Sequence, residues 1–417
     1  MQHDQGICII PIGDKVEWIL KFDIAVVGGG PAGLSAAYTA AKHGAKVILF
    51  EKDPSFGHNI RTSGVTWIKE IEKLEISGEY FNPIKNFSFV SPTNQIMISG
   101  NFNSACVLDV RKTYQYLASR AASEGSTLLV KSQVIDVKKN LQGHSSILKV
   151  NSPSGPLDVE ATLIIDASGF TSFVSRKLGY VESWKRYGIG AEYECYCDNV
   201  DSETLCLMVG QIYSEAGYAW VFPLSKNRLR IGVGIGKPNS NTDPLVKLNQ
   251  VMKTRLPPLD TLGKIQPLEL HYGMIPNEGL RTNSVFDGLI MVGDTVGQAN
   301  PLVLEGIRYA IEFGRLAGSV GAESLQYNSS RDSLMPYEVA NKNLLEKKIK
   351  SALKVQSRWL GLSDSEWHKE IEIIEELSID EFLDFIKSDF TYSKMAKLAL
   401  NHPKMMVKQL FNLVLKK

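Results

Sequence analysis

The chain has 417 residues, 44% of them hydrophobic and 22% charged, with a formal net charge of +1. That length allows one very large domain or two to three ordinary ones, and the near-zero charge gives no electrostatic case for nucleic acid as a partner. Five cysteines, at positions 8, 106, 195, 197 and 206, form no disulfide-scaffold pattern and fit a reducing, cytoplasmic compartment. Asp4, Asp14, Lys15 and Glu17 interrupt the N-terminal segment where a signal peptide needs an unbroken apolar core. No run approaches the roughly 20 apolar residues of a spanning helix.

In chain order, the β-branched run 23–27 predicts a strand buried on both faces, followed at once by a glycine turn. An alanine-rich helix is expected over 34–42, stopped by Gly44, and a second strand over 46–50 ends at Glu51. This is a complete βαβ unit. Strands over 87–90 and 95–98 flank the turn-forming Ser91, Pro92, Thr93 and Asn94. A helix over 110–123 ends near Gly125, with short strands at 127–130 and 134–138. Residues 146–165 read as a hairpin turning at 153–156 and running into a buried strand at 161–165. From 187 to 236 the pattern alternates as an antiparallel sheet, with strands at 188–197, 205–210, 218–222 and 229–234. The βα pattern returns at 289–294 with a helix over about 305–316, and beyond 330 the chain reads as helices rich in Lys and Glu.

The best-defined motif is Gly28-x-Gly30-x-x-Gly33 with Pro31 and Ala32 inside it. Gly28 permits the tight turn, Gly30 lets backbone N–H groups approach a pyrophosphate, and Gly33 lets the helix pack closely on the sheet. Glu51, ending the next strand, is placed to accept from a ribose hydroxyl. A dinucleotide site follows.

Three further segments choose the dinucleotide. Arg111 opens the helix after Asp109, Asp166-Ala167-Ser168-Gly169 ends a buried strand, and Gly293-Asp294-Thr295-Val296-Gly297 follows the late strand. In this order they resemble the para-hydroxybenzoate-hydroxylase-like flavoprotein superfamily. The resemblance implies FAD, with Arg111 on its pyrophosphate, Ala167 and Gly169 near the dinucleotide and Asp294 on the ribityl chain. It also implies cofactor contacts at Lys52, Arg61, Thr62, Val134, Gly293, Gly297, Pro301, Gly306 and Ile307. The expected fold is α/β: a discontinuous Rossmann-like FAD-binding domain (1–80, 105–182 and 280–330), an inserted, mainly antiparallel β-sheet substrate domain (81–104 and 183–279), and a helical C-terminal region (331–417).

Two segments narrow the family. Tyr218, Trp220 and Phe222, followed by Pro223, share one strand face and make either core or the wall of an apolar pocket. Their pattern resembles the Tyr-x-Trp-x-Phe-Pro signature of geranylgeranyl reductases. Residues 293–310 resemble that family's Gly-Asp…Pro…Gly-Glu-Gly-Ile pattern, which implies that the helix after Gly306 faces the flavin pyrimidine and stabilises negative charge there. Thr62 stands where archaeal reductases carry cysteine, and Leu304 where they carry a small residue. The resemblance implies hydride transfer from reduced flavin to carbon–carbon double bonds of an isoprenoid or other apolar substrate, with NAD(P)H as a candidate donor; no catalytic proton source is identified, Tyr218 being only a guess beside its place as a substrate-pocket candidate. The alternative on the same fold is a flavin monooxygenase acting on an apolar or aromatic small molecule. A non-redox or halogenase role is a third class, and the halogenase Trp-x-Trp-x-Ile-Pro motif is missing here.

Cys195, Cys197 and Cys206 lack a fourth ligand, so no metal site is expected. His58 lies near the expected flavin loop. Over 404–417, Lys404, Lys408, Asn412 and Lys416 face opposite Met406, Val407, Leu410, Phe411 and Val414. Such a basic amphipathic helix either packs on the domain or lies peripherally on an anionic membrane.

Overall fold

The computed structural model describes residues 7–12, 15–140 and 144–403. The basic amphipathic segment 404–417 lies outside the described residues.

The strand Lys15–Val27 is the spine of a nine-stranded sheet. Its end, Ile24 to Val26, has no polar side chain and no solvent exposure, as a strand covered on both faces requires. It runs parallel to Val47–Phe50 on one side and to Gly155–Asp166 on the other, with Ile24 opposite Val47 and Leu163. Thr127–Leu129 and Leu289–Met291 extend the parallel block outward. The strand Gly155–Asp166 divides its free edge: its first half pairs antiparallel with Ser145–Ser152, and its last three residues pair parallel with Leu289–Met291.

Helix Pro31–Lys42 starts on a proline, which has no N–H to leave unpaired in the first turn. Helix Ile307–Ser324 crosses it at backbone contact: a Cβ on Gly314 would lie 2.4 Å from the Ala32 carbonyl oxygen, and one on Gly318 2.4 Å from that of Ala36. This run of small residues carries the helix well past the expected stop near 316.

The second sheet has seven strands in the order 265–276, 187–197, 228–237, 217–225, 204–208, 86–90 and 95–99. All neighbours are antiparallel except Thr204–Met208 and Asn86–Val90, where the early hairpin joins the later meander. One face is covered by helix Pro244–Thr254, which packs on a cluster containing Ala191, Cys195, Cys197, Cys206 and Val233. The other face looks toward the nine-stranded sheet. A small sheet of Val65–Trp67, Ala105–Leu108 and Phe81–Ile84 lies between them.

The C-terminal helices do more than append. Arg331–Trp359 lies along the late loop, and Asp364–Glu375 and Ile379–Ile386 each begin with a capping box, Ser363 with Glu366 and Ser378 with Glu381. Their apolar sides bring Trp367, Ile371, Phe382, Leu383 and Ile386 onto Phe87, Phe89, Trp220 and Phe222 of the sheet.

Candidate functional site

Between the two sheets lies a cavity of about 630 Å³. One arm is built by the first βα turn. A Cβ on Gly33 would sit 1.9 Å from the Gly28 carbonyl oxygen, and one on Gly28 2.3 Å from that of Ala167, so both glycines are demanded by packing. Gly30 is different: a Cβ there would meet nothing within 4 Å, because the residue faces the open cavity. The helix behind it has no side-chain cap, which leaves its first amides directed at that space. The Glu51 carboxylate accepts from the amides of Gly29 and Asp53, both at 2.8 Å, and holds the turn in shape. Asp166 accepts from the backbone and hydroxyl groups of Ser168 and Ser175 and orders the neighbouring loop.

The cavity continues past Gly293 and Asp294. The Asp294 carboxylate has no hydrogen-bond partner among the described residues, and burial pushes its pKa up to about 6. Buried carboxylates ordinarily find donors. This unpaired group, the uncapped helix start and the open space at Gly30 and Gly169 fit a ligand with a diphosphate and a polyhydroxyl chain, as FAD has. The loop 298–301 is fixed from behind: Gln298 accepts from the Gly293 amide at 2.6 Å and donates to Tyr337 and Asn341, while Gln356 donates to the Pro301 carbonyl.

Beyond the loop, the seven-stranded sheet forms the wall. Trp220 pairs across strands with Gly232, and its ring lies flat over that glycine, where a Cβ would come within 2.2 Å. The indole N–H reaches over Gly232 to Glu192 on the next strand, at 2.7 Å. Phe222 stacks beside Trp220 at 5.8 Å, and Tyr218 flanks it with its hydroxyl donating to the Val303 carbonyl. Burial raises the Tyr218 pKa well above the phenol's usual value. A hydroxyl already committed to a carbonyl, and so hard to ionise, is a poor proton source.

Of the residues expected at the cofactor, Gly28, Gly30, Pro31, Ala32, Glu51, Lys52, Arg61, Thr62, Val134, Ala167, Gly169, Gly293, Asp294, Gly306 and Ile307 line this cavity, as do Tyr218, Trp220 and Phe222. Gly33, Arg111, Gly297 and Pro301 lie off the wall. Gly33 is occupied by the turn itself. A Cβ on Gly297, at a φ of +82°, would strike the Gly279 carbonyl oxygen at 2.3 Å, so that glycine serves a turn. Arg111 donates to the carbonyls of Gly57 and His58 and pairs with Glu269 at 2.7 Å, tying the 57–58 loop to the sheet edge. Thr62 offers the cavity a hydroxyl near the Gly64 amide, and Leu304 holds a left-handed φ of 53° with its side chain against Gly188. His58 is exposed.

Sequence reasoning missed the apolar lobe formed by Trp67, Phe87, Phe89, Leu205, Trp359, Trp367, Phe382 and Ile386. It also missed a buried polar group: Glu192, Glu194, Arg230 and His271, none more than 4% exposed. Glu305 also lines the cavity, buried, with Arg308 at 3.0 Å and Thr66 at 3.3 Å; burial raises its pKa and Arg308 opposes the rise.

Residues 23–178 match the FAD dependent oxidoreductase family, and residues 187–275 match the geranylgeranyl reductase catalytic domain. The chain is 32% identical over 358 residues to the digeranylgeranylglycerophospholipid reductase of Methanococcus vannielii, covering 83% of this chain and 88% of the relative. The chain belongs to the geranylgeranyl reductase family. Digeranylgeranylglycerophospholipid reductase 2 of Methanothermobacter thermautotrophicus is 29% identical over 355 residues, covering 83% of this chain and 90% of the relative. A geranylgeranyl bacteriochlorophyll reductase-like protein from Thermoplasma acidophilum superposes with a TM-score of 0.81 at 25% identity, over 94% of this chain and 99% of that one. This family member is therefore an FAD-dependent oxidoreductase, and the reductase reading stands over the monooxygenase one. Among the described residues no helix is long and apolar enough to cross a membrane.

Proposed function

We propose that the protein reduces carbon–carbon double bonds in the isoprenoid chains of a lipid, with FAD held along the first arm of the cavity and the prenyl chain in the apolar lobe. One observation carries this reading: a polar, glycine-lined arm and an aromatic lobe line one continuous cavity. The substrate names carried by the relatives support it.

In this reading the amides of the Gly28–Gly30 turn and the start of helix Pro31–Lys42 hold the diphosphate. Glu51 receives the adenosine ribose, and Asp294 accepts from the ribityl hydroxyls. The uncapped start of helix Ile307–Ser324 places its positive end toward the flavin ring. Lys52, Arg61, Thr62 and Val134 line the mouth and flank of this arm. Arg111 acts indirectly, by fixing the 57–58 loop. Bound FAD, once reduced by the donor, would supply two electrons as a hydride. The chain's part is to exclude water with Trp220, Phe222 and the helical roof, and to present the alkene to the aromatic wall. Positive charge developing on the substituted alkene carbon is stabilised by the face of Trp220.

The domain boundaries given above are part of this proposal, with the flavin arm assigned to the first unit, the aromatic wall to the second and the roof to the third. NAD(P)H is the proposed donor. A cytoplasmic enzyme at a lipid surface, held there by the basic amphipathic segment 404–417, completes the proposal. Anaerobic incubation of the reduced holoenzyme with prenyl lipids should yield products heavier by pairs of hydrogens, read by mass spectrometry. Unchanged lipids across a panel of chain lengths and headgroups would remove this reading.

A further inference from the structure

One set of buried ionisable groups in the wall is not needed to hold a flavin. His271 and Glu192 face each other on neighbouring strands. Nδ1 of His271 lies 3.1 Å from one Glu192 oxygen, and the Trp220 N–H lies 2.7 Å from the other. The opposite ring nitrogen of His271 is buried without a hydrogen-bond partner and stands 3.5 Å from a Glu269 oxygen. Glu269 is the outermost of the three: its side chain is 37% exposed and pairs with Arg111. Three titratable side chains thus step from solvent to the cavity wall, each in reach of the next. The one gap, at 3.5 Å, is closed by a small torsion of the Glu269 side chain or by one bridging water.

We propose that Glu269, His271 and Glu192 form the proton-entry path of the cavity, with Glu192 handing the proton to the substrate carbon. The proposal rests on the reductase reading above. Saturating a double bond breaks its π bond; one carbon gains a hydride, whose electrons come from reduced flavin, and the other gains a proton. Glu192, ionised at rest, takes that proton from the Nδ1–H of His271 and passes it on, while the other ring nitrogen takes a proton from solvent through Glu269. Each reduced bond therefore consumes one hydride and one proton. His271 is left with its proton on the opposite ring nitrogen, and exchange of that proton with water and reprotonation of Nδ1 restore the starting tautomer before the next turnover.

The electrostatics suit a donor to carbon. Burial raises the Glu192 pKa, but the contacts with His271, Arg230, Ser63 and Trp220 outweigh it, and the net direction is down. Glu192 is thus held ionised at rest and carries the proton only in passing from His271 to the substrate carbon. Arg230, 3.6 Å from Glu192, is the permanent charge facing the pair, with Glu194 beyond it. Arg111 and His271 hold the Glu269 carboxyl low against its partial burial.

The test uses flavin-loaded protein as wild type, E192Q, H271Q and E269Q. Without lipid, wild type should show a downfield, slowly exchanging His271 Nδ1 proton by NMR, shifted upfield in E192Q because the acceptor has lost its charge. In single turnovers of prereduced enzyme with a prenyl lipid, E192Q should be slowed about 100-fold or more, the usual range for losing a general acid. H271Q and E269Q should be slowed less, with enlarged solvent deuterium isotope effects, while reoxidation by ferricyanide stays within about twofold of wild type in all three. Wild-type lipid rates and isotope effects in the variants would overturn the path, as would equal losses with ferricyanide. If no lipid reoxidises the wild type, the isoprenoid reading has failed instead, and the NMR signature still judges the dyad on its own.

Discussion

The seven-stranded sheet presents two unlike halves to one cavity. Its first three strands carry Glu192, Glu194, Arg230 and His271, buried ionisable groups in contact with one another, with Arg230 Nε and the outer ring nitrogen of His271 left without a hydrogen-bond partner among the described residues. Its later strands carry Trp220, Phe222, Leu205, Phe87 and Phe89, apolar surfaces closed by Trp367, Phe382 and Ile386 from the helical roof. The strand pairing is continuous across the seam, so backbone geometry does not distinguish the halves; side-chain chemistry does. The apolar half should respond to substitution in proportion to the volume removed. The charged half should fail as a unit, because a buried ion that loses its partner keeps its full desolvation penalty.

The largest effect expected is therefore at Arg230, which is 1% exposed and donates to the Ser63 and Leu108 carbonyls besides facing Glu192 and Glu194. Arg230→Met should destabilise the protein by about 4 kcal/mol in urea unfolding, since it removes the permanent cation facing buried Glu192, which keeps only its contacts with Trp220 and His271, while Glu194 retains Arg228. Adding Glu192→Gln should recover more than half of that loss. A loss below about 1 kcal/mol would show that the charged half is not one unit. In the apolar half, Phe382 packs against Phe87 at 5.2 Å and Phe89 at 5.6 Å. Phe382→Ala should cost roughly 3 kcal/mol and Phe382→Leu roughly 1, a graded series that the charged half should not show.

The same contrast explains what the sequence revealed. The glycine turn was legible because each constraint on it is local: Gly28 and Gly33 are forced by contacts within the turn and its neighbouring loop, and strand and helix flank them directly. Trp220 was legible as a motif, and its glycine partner Gly232 lies only twelve residues on. The strand Ile265–Pro276 was not legible, because its polarity is inverted. Leu268, Leu270, Tyr272 and Met274 are exposed, while Glu269 is half-buried and His271 buried. Alternation rules expect the reverse. The helical C-terminal region was expected but not its role as a roof: its Lys- and Glu-rich sequence hides an apolar side whose partners, from Phe87 and Phe89 to Trp220 and Phe222, are far away in the chain. Arg111 looked like a diphosphate ligand because a guanidinium at a helix start suits one, but the same fork serves two loop carbonyls and a carboxylate equally well.

Where the flavin arm meets the sheet, Asp294 gives a smaller effect with a defined pH sign. Burial raises its pKa from an ordinary value near 3.8 to about 6, so the folded, flavin-free protein holds this proton more tightly than the unfolded chain. Its contribution therefore favours folding below about pH 4, declines as pH rises from about 4 to 6, and remains unfavourable above that. Water entering the cavity moderates the cost to about 1–2 kcal/mol at pH 7. Asp294→Asn should raise the stability of flavin-free protein by that amount at pH 7 and leave it unchanged near pH 4, while weakening flavin binding. Equal gains at both pH values would mean that the carboxylate is not strained.

The smallest effect concerns Leu304, which lies over the charged half's strand, next to Val303, whose carbonyl accepts from Tyr218 of the aromatic half. Its φ of 53° is a conformation that leucine adopts at a cost of about 1–2 kcal/mol. Leu304→Ala keeps that strain and loses the contact with Gly188, whereas Leu304→Gly loses the same contact and relieves the strain. The usual ranking then inverts: the glycine variant should be more stable than the alanine variant by about 1 kcal/mol in urea unfolding, although glycine is ordinarily the weaker choice. Leu302→Ala, two residues away and fully packed at 3% exposure, should cost about 2–5 kcal/mol. If alanine outperforms glycine at 304, the left-handed backbone is not held by the loop but follows the side chain, and the seam between the two halves is softer than the hydrogen bond from Tyr218 implies.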